Sequence, residues 1–190
     1  MEFSRFRFIV VSFAVVGMLF LTTAYYTHED AVGYLRGTMT IFGQTTVTIH
    51  CHASLTEAVA AGKYHEVNKY IDEEDFPSYH FACMESEEVM HLMEFDRGIR
   101  GDEAIKRLDM AGFRPADLRE LLAFGEMRSV IYRDSTIVAL GSTMRGMDLS
   151  SYLYSDQYGQ NIGLHGDGET DIILPGYKWH TGDLFLAIRK

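Results

Sequence analysis

The amino-acid sequence predicts an α+β protein, in which an N-terminal membrane helix precedes a compact domain with two or three short helices and a mostly antiparallel sheet. Three features support this prediction. A long uncharged run opens the chain, helix-capping patterns occupy its middle, and short strand-like runs separated by Gly and Asp follow them. Helices followed in sequence by a meander of strands are typical of the α+β class.

The opening run from Phe8 to Tyr26 contains no charged residue. As a helix it would rise about 28 Å, which is close to the hydrocarbon thickness of a bilayer. Arg5 and Arg7 precede this run, and acidic residues follow it. This order of charges favours a single membrane pass with a cytoplasmic N-terminus and an exported C-terminal domain.

Two alternatives to a membrane anchor stay open. Thr22, Thr23 and Ala24 are small, so the run could be a signal peptide that is cleaved after Ala24, which would leave a secreted protein. If Met39 is the initiator, the chain is instead a cytosolic accessory domain without a membrane segment. We favour the anchor because the uncharged run reaches spanning length, and we expect residues 27–44 to form a stalk.

The charge of the chain restricts its partners. The whole chain has a net charge of −10, and residues 1–26 contain two arginines and one glutamate, so the rest carries −11. An acidic body repels phosphate backbones. The sequence therefore predicts no nucleic-acid partner, and we take the acidity as a source of solubility.

The two cysteines, Cys51 and Cys83, leave two possibilities open. In an exported domain they could form a disulfide, whereas in a cytosolic domain they would be buried thiols. Nothing in the sequence fixes the geometry that a bridge needs.

Residues 45–100 are predicted to form an N-terminal α/β lobe. Alternating apolar residues predict a strand from Thr45 to His50 and another from Val89 to Phe95. A helix is predicted from Ser54 to Ala61, because Ser54 begins an S-x-x-E capping box and Gly62 follows as a C-terminal stop.

Residues 101–190 are predicted to form the second part of the domain. A helix is expected from about Asp102 to Met110, with Ile105 and Leu108 on one face. Asp117 then caps another helix, whose buried stripe consists of Leu118, Leu121 and Leu122. Short strands are predicted at Ile137–Leu140, where Gly141 ends the strand, and at 152–154, 162–164, 171–174 and 184–188.

The last predicted strand, Leu184–Ile188, is apolar on both faces. A strand of this kind is covered on both sides. We therefore expect it to lie in the centre of the sheet and to pair with an early strand, either Thr45–His50 or Val89–Phe95.

Two resemblances to known proteins bear on the fold and the function. RPADLRELLAFGE from Arg114, IVALGS and the terminal FLAIRK resemble a C-terminal module of uncharacterised bacterial proteins, and the likeness covers roughly residues 45–190. No function comes with that likeness. The phrase that starts at Arg114 and the closing FLAIRK also resemble the C-type lectin-like fold, in the branch of the formylglycine-generating enzymes.

The second resemblance implies a lectin-like module at 101–190 that recognises a ligand. The oxidase chemistry of that branch needs a cysteine pair near the C-terminus, but no cysteine follows Cys83. The calcium-site triplets of sugar-binding lectins are absent as well. The resemblance therefore implies a scaffold without the enzyme, whose ligand is a protein or a glycan.

Aromatic residues crowd the C-terminal meander, where they form core packing or a recognition surface. Tyr and Trp supply contact area at low entropic cost. The candidate ligand-binding residues are Tyr152, Tyr154, Tyr158, Tyr177 and Trp179.

Two candidate metal sites compete with ordinary structural roles. Asp167, Glu169 and Asp171 alternate like the start of a calcium loop, although the later EF-hand positions do not match, and a turn explains them as well. His50, Cys51 and His52, with Cys83 or His91, could bind zinc, but no finger-type spacing supports this and ordinary strand residues are favoured.

No catalytic fingerprint of a hydrolase, a P-loop protein or a dinucleotide enzyme occurs in the sequence. We therefore expect no catalytic residues. The alternative from another class is a hydrolase or metal-dependent enzyme on the same scaffold, which would use His165, Asp167 and His180.

Overall fold

The computed structural model describes residues 37–50, 52, 54–76, 85–127, 135–144, 149–165 and 178–190, with only the backbone at Thr143 and His165. The predicted membrane segment, most of the stalk, both cysteines and the predicted strand at 171–174 lie outside these residues. Residues 38–190 form one compact unit. In the part that is described, no helix is long and apolar enough to cross a membrane.

The described residues form a compact α+β domain with three helices and one mostly antiparallel sheet, as predicted. The helices are α1 Leu55–Gly62, α2 Gly101–Met110 and α3 Leu118–Glu126. The strands are β1 Met39–Ile49, β2 Ser86–Phe95, β3 Phe113–Pro115, β4 Ile137–Thr143, β5 Ser150–Ser155, β6 Gln160–His165 and β7 Leu184–Arg189. The order in the sheet is β1-β2-β7-β4-β5-β6, and β3 also pairs with β7.

The closing strand β7 lies in the centre of the sheet, which confirms its prediction. It runs antiparallel to β2, where Met90 is opposite Ile188 and Glu94 is opposite Leu184. On its other side it runs parallel to β4, with Ile137 opposite Leu184. Of the two predicted partners, Val89–Phe95, which belongs to β2, is therefore the strand that pairs with β7.

Both faces of β7 are buried, each in its own core. Leu184, Leu186 and Ile188 lie in a first core that includes the apolar residues of α1 and α3. Phe185 and Ala187 lie in a second core with Ala104 and Leu108 of α2. The sheet is thus covered by helices on both faces, as the apolar closing strand required.

The start of helix α3 has the capping geometry that its sequence predicts. The Asp117 carboxylate accepts a hydrogen bond from the Glu120 amide at 2.9 Å, and the Glu120 carboxylate accepts one from the Asp117 amide at 2.8 Å. Arg114 donates to both oxygens of Glu120, at 2.6 and 2.9 Å. The buried Glu120 side chain is thereby paired, which burial of a carboxylate requires.

Strand β1 begins at Met39 rather than at Thr45, and Met39 lies opposite Phe95. Residues 39–44, which were predicted as the end of the stalk, therefore belong to the sheet. The register shifts between Ile41 and Gly43. This bulge interrupts the alternation of side chains, and for that reason the first part of the strand gives no period-two pattern.

The boundary predicted between residues 100 and 101 does not divide the fold. Strands β1 and β2, from the predicted N-terminal lobe, belong to the same sheet as β4, β5 and β6 from the predicted lectin-like module. The connection is made by β7, which pairs with β2 and with β4.

Two local expectations were wrong. The C-terminal cap of α1 is Lys63, in a left-handed conformation with φ 49°, and Gly62 is its last helical residue. Strand β4 continues through Gly141 to Thr143.

Candidate functional site

The predicted aromatic residues do not all belong to one surface. Trp179 is 6% exposed and packs in the second core, with its ring centroid 6.2 Å from that of Phe185. Its backbone exchanges two hydrogen bonds with Ile99, at 2.8 and 3.1 Å. Trp179 is therefore a core residue, and Tyr177 lies outside the described residues.

Tyr152 and Tyr154 lie on the same face of β5, where their ring centroids are 5.5 Å apart. The Tyr152 ring is half-buried, packs beside Trp179 at 6.0 Å and covers Gly163 of the neighbouring strand. A Cβ atom at Gly163 would lie 2.7 Å from this ring, so the ring in its present position packs directly on the glycine. Tyr152 thus extends the core toward the surface, and Tyr154 is the next ring outward along the strand.

Tyr158 lies in the turn between β5 and β6 and is 70% exposed. Its ring is stacked on that of His65, with centroids 5.4 Å apart and an angle of 26° between the planes. A large aromatic ring held open to solvent on a second ring is a feature of recognition surfaces. We refer to His65, Glu66, Tyr154, Asp156 and Tyr158 together as the acidic aromatic tip.

Asp156 fixes the turn that carries Tyr158. One of its carboxylate oxygens accepts hydrogen bonds from the amides of Tyr158 and Gly159, at 2.7 and 3.0 Å. The other accepts from the Asn161 side chain at 2.9 Å. An aspartate that binds amides two and three residues ahead is a standard turn-forming device. The hydrogen bond from the Tyr158 amide is the main reason that the pKa of Asp156 lies below its usual range.

Asn161 connects this turn to the segment that holds His65 and Glu66. It is fully buried, and its side-chain oxygen accepts a hydrogen bond from the Glu66 amide at 3.0 Å. The segment also runs along β6, where the His65 amide donates to Gln160 at 2.8 Å and the Ile162 amide donates to Glu66 at 3.0 Å. The stacked pair His65–Tyr158 is therefore supported from both sides by backbone hydrogen bonds.

Two carboxylates, those of Glu66 and Asp156, make the tip acidic. Burial, together with the charges of Glu66 and Asp156, raises the pKa of Tyr154 above its usual value, so its hydroxyl stays protonated at neutral pH. Both carboxylates are exposed. A site with exposed rings, two carboxylates and a neutral hydroxyl can bind a cation, because ring faces and carboxylates attract positive charge.

The metal and enzyme hypotheses gain no support within the described residues, where no group of three or more His, Cys, Asp and Glu side chains could hold a metal ion. The rings of His50 and His52 are 6.3 Å apart, and each faces a glutamate. His91 is buried against Phe113. Asp167, Glu169 and Asp171 lie outside the described residues, as does the side chain of His165, and His180 is exposed beside Asp183.

Of the five residues of the tip, Tyr154 and Tyr158 were predicted from the sequence, whereas His65, Glu66 and Asp156 were missed. The spacing Asp156-x-Tyr158-Gly159 is typical of an aspartate-stabilised turn and could have identified Asp156. His65 and Glu66 reach the site through pairing with residues almost a hundred positions later in the chain. No local pattern reports such a pairing.

Comparisons with known proteins give no family assignment, since no family model, no curated protein and no solved structure matches the chain.

Proposed function

We propose that this protein recognises a basic segment of a partner protein through the acidic aromatic tip, without catalysing a reaction. The observation that carries the proposal is the exposed ring of Tyr158, stacked on His65 beside the carboxylates of Glu66 and Asp156. A lysine or arginine side chain over this ring would gain cation–π attraction, and its charge would be balanced by the carboxylates.

The net charge of the molecule supports this choice of ligand. The chain outside residues 1–26 carries −11, so positively charged segments are attracted over a long range, whereas phosphate-rich ligands are repelled. Arginine is enriched at protein–protein interfaces, and its planar guanidinium group stacks on aromatic rings such as that of tyrosine. We therefore favour a protein over a glycan as the ligand.

We further propose that recognition takes place outside the cytoplasm, with residues 8–26 as the membrane anchor. The support for this proposal is the uncharged run behind Arg5 and Arg7.

A lectin-like scaffold also stays a proposal. Its support is the return of the closing strand β7 to pair with the early strand β2.

Peptide binding to the full chain in detergent micelles tests the proposed function. We expect a labelled decapeptide of alternating Gly and Arg to bind, and its Gly–Glu counterpart not to bind. Tyr158→Ala should weaken binding of the arginine peptide by roughly 2- to 30-fold, which corresponds to about 0.5–2 kcal/mol of cation–π energy. Tyr158→Phe keeps the ring and should bind like the wild type.

The matched control is Tyr70→Ala, which removes another exposed tyrosine that has a lysine over its ring but does not belong to the tip. Its affinity should equal that of the wild type. An arginine peptide that binds equally well to Tyr158→Ala would exclude the tip as the site. Binding of an N-acetylglucosamine trimer in place of the arginine peptide would instead establish a glycan ligand.

A further inference from the structure

The outer edge of β1 borders a groove that the proposed function does not use. The groove lies between the end of β1 and the C-terminal end of α3 and has a volume of about 260 Å³. Three of its lining residues alternate along β1 or follow it directly, and three belong to α3 or follow it directly. They are Thr46, Thr48, His50, Ala123, Glu126 and Met127.

The two edges of the sheet differ in how they are covered. Along β6, the segment at 65–68 forms hydrogen bonds and a parallel bridge between Val67 and Ile162. Along β1, no strand in the described part of the chain pairs on the side away from β2. Edge strands usually carry charged residues or proline, which prevent pairing with another chain. Residues 38–49 contain neither a charged residue nor a proline.

The surroundings of the groove are acidic. Glu126 lies in the last turn of α3, where there is no basic residue to offset the partial negative charge of the helix end. On the neighbouring strand β2, Glu87 lies opposite Thr48, which lines the groove. His52 is 3.5 Å from Glu126 and offsets its charge only when it is protonated.

We propose that an extended peptide of a partner protein binds along β1 as an additional strand, with a lysine or arginine side chain in the groove beside Glu126. Strand addition uses the unpaired backbone groups of an edge for affinity and a side-chain pocket for specificity. Here the uncharged edge of β1 offers the backbone groups for affinity, and the groove with its acidic border offers the pocket for specificity.

The charges favour such a peptide over a second copy of this chain. Pairing of β1 with β1 of another copy would place the Glu87 and Glu126 carboxylates of both copies around one interface, and like charges across an interface are unfavourable. A short cationic strand meets the same carboxylates with the opposite charge.

Two hexapeptides, acetyl-TVKVTV-amide and acetyl-TVEVTV-amide, test the proposal by fluorescence anisotropy with the full chain in detergent micelles. We expect the lysine peptide to bind about fivefold more tightly or better, in line with the small energy of an exposed ion pair. N-methylation of one alternate set of its amides should abolish binding, and methylation of the other set should not, because an edge pairs with one side of a strand.

Variants of the chain locate the binding. Thr46→Lys places a charged side chain in the groove and should abolish binding, while Thr40→Lys makes the same change on β1 away from the groove and should leave the affinity unchanged. Glu126→Gln should remove the preference for the lysine peptide. Equal binding of the two peptides, or unchanged binding to Thr46→Lys, would overturn the proposal. A dimer of the full chain that Thr46→Lys dissociates would overturn it in favour of a second copy.

Discussion

His91 shows how a single buried residue couples this fold to pH. It lies on β2 in contact with the ring of Phe113 and is 6% exposed. Its Nδ1 atom finds no hydrogen-bond partner in the described structure. Burial, with a smaller effect of the charge of Arg189, lowers the pKa of His91 below its ordinary value of 6.5. The folded state therefore favours the neutral form of this imidazole.

The sign of the pH dependence follows from proton binding. In the unfolded chain His91 takes up a proton near pH 6.5, whereas in the native state it does so only at a lower pH. Between these two values the unfolded state binds more protons, so the free energy of unfolding decreases as the pH falls. The contribution of His91 to stability is complete above pH 6.5 and is lost on acidification toward its folded pKa.

Substitution of this histidine should reduce the pH dependence. We expect His91→Phe to raise the free energy of unfolding by about 1–3 kcal/mol at pH 7.5, the usual cost of an unpaired buried polar group, and by more at pH 5.5, where the unfolded chain gains a proton on His91. Urea denaturation at both pH values measures the difference. His180→Phe makes the same substitution at an exposed histidine, and as the control it should not raise the free energy of unfolding.

At the scale of single elements, β4 passes unusually close to the residues before α3. The Gly141 amide donates a hydrogen bond to the carbonyl oxygen of Ala116 at 2.8 Å. A Cβ atom at Gly141 would lie 2.6 Å from that oxygen and 2.9 Å from the carbonyl oxygen of Pro115. These neighbours are backbone atoms and cannot rotate away, so the close approach requires glycine.

We expect Gly141→Ala to lower the free energy of unfolding by about 1–3 kcal/mol, the usual cost of overpacking. Urea denaturation measures the loss. Gly101→Ala is the matched control, because a Cβ there would meet its nearest neighbours at 3.7 and 3.9 Å. If both variants unfold at the same urea concentration, β4 can move away from Ala116 and the close approach is not required.

Elements with a local signal were the most predictable from the sequence. The capping residues Asp117 and Glu120 act within one helical turn, so the start of α3 was predicted correctly. The end of α1 was predicted incorrectly. Glycine commonly ends a helix, but Gly62 is still helical and the ring of Tyr64 packs on it. A Cβ on Gly62 would lie 2.3 Å from the ring of Tyr64. Packing of a side chain on a glycine depends on the tertiary structure and cannot be predicted from a local sequence pattern.

At the scale of the whole molecule, the bulged start of β1 decides where the domain begins. Met39 is partly buried against the second core and lies opposite Phe95. We expect a fragment 38–190 to unfold cooperatively. A fragment 45–190 should be less stable by about 2–4 kcal/mol, since it loses several backbone hydrogen bonds worth about 0.5–1.5 kcal/mol each.

Urea denaturation of the two fragments, monitored by tryptophan fluorescence and circular dichroism, checks this expectation. The single tryptophan, Trp179, reports on the second core. Fragment 38–190 and the full chain provide the reference pair. Equal midpoints for 38–190 and 45–190 would show that residues 39–44 are peripheral to the sheet.

The arrangement of strands in the sheet was predictable only where burial requires a segment to consist of apolar residues. Leu184–Ile188 is apolar on both faces, and this predicted both its central place and its early partner. Tyr158 was selected for its residue type. The residues that complete its surface, His65 and Glu66, are ordinary polar residues in a connecting segment, and their position depends on hydrogen bonds to β6.

The central position of β7 also has a consequence for the order in which the chain can fold during synthesis. The ribosome produces β1 and β2 early and β4, β5 and β6 later, but the strand that joins these two groups is the last of the seven in chain order. The edges of β2 and β4 that face β7 therefore stay unpaired, and the apolar faces of both groups stay exposed, until Leu184–Arg189 emerges. A nascent chain in this condition is open to chaperones, and it can complete the sheet only after Leu184–Arg189 has left the ribosomal exit tunnel.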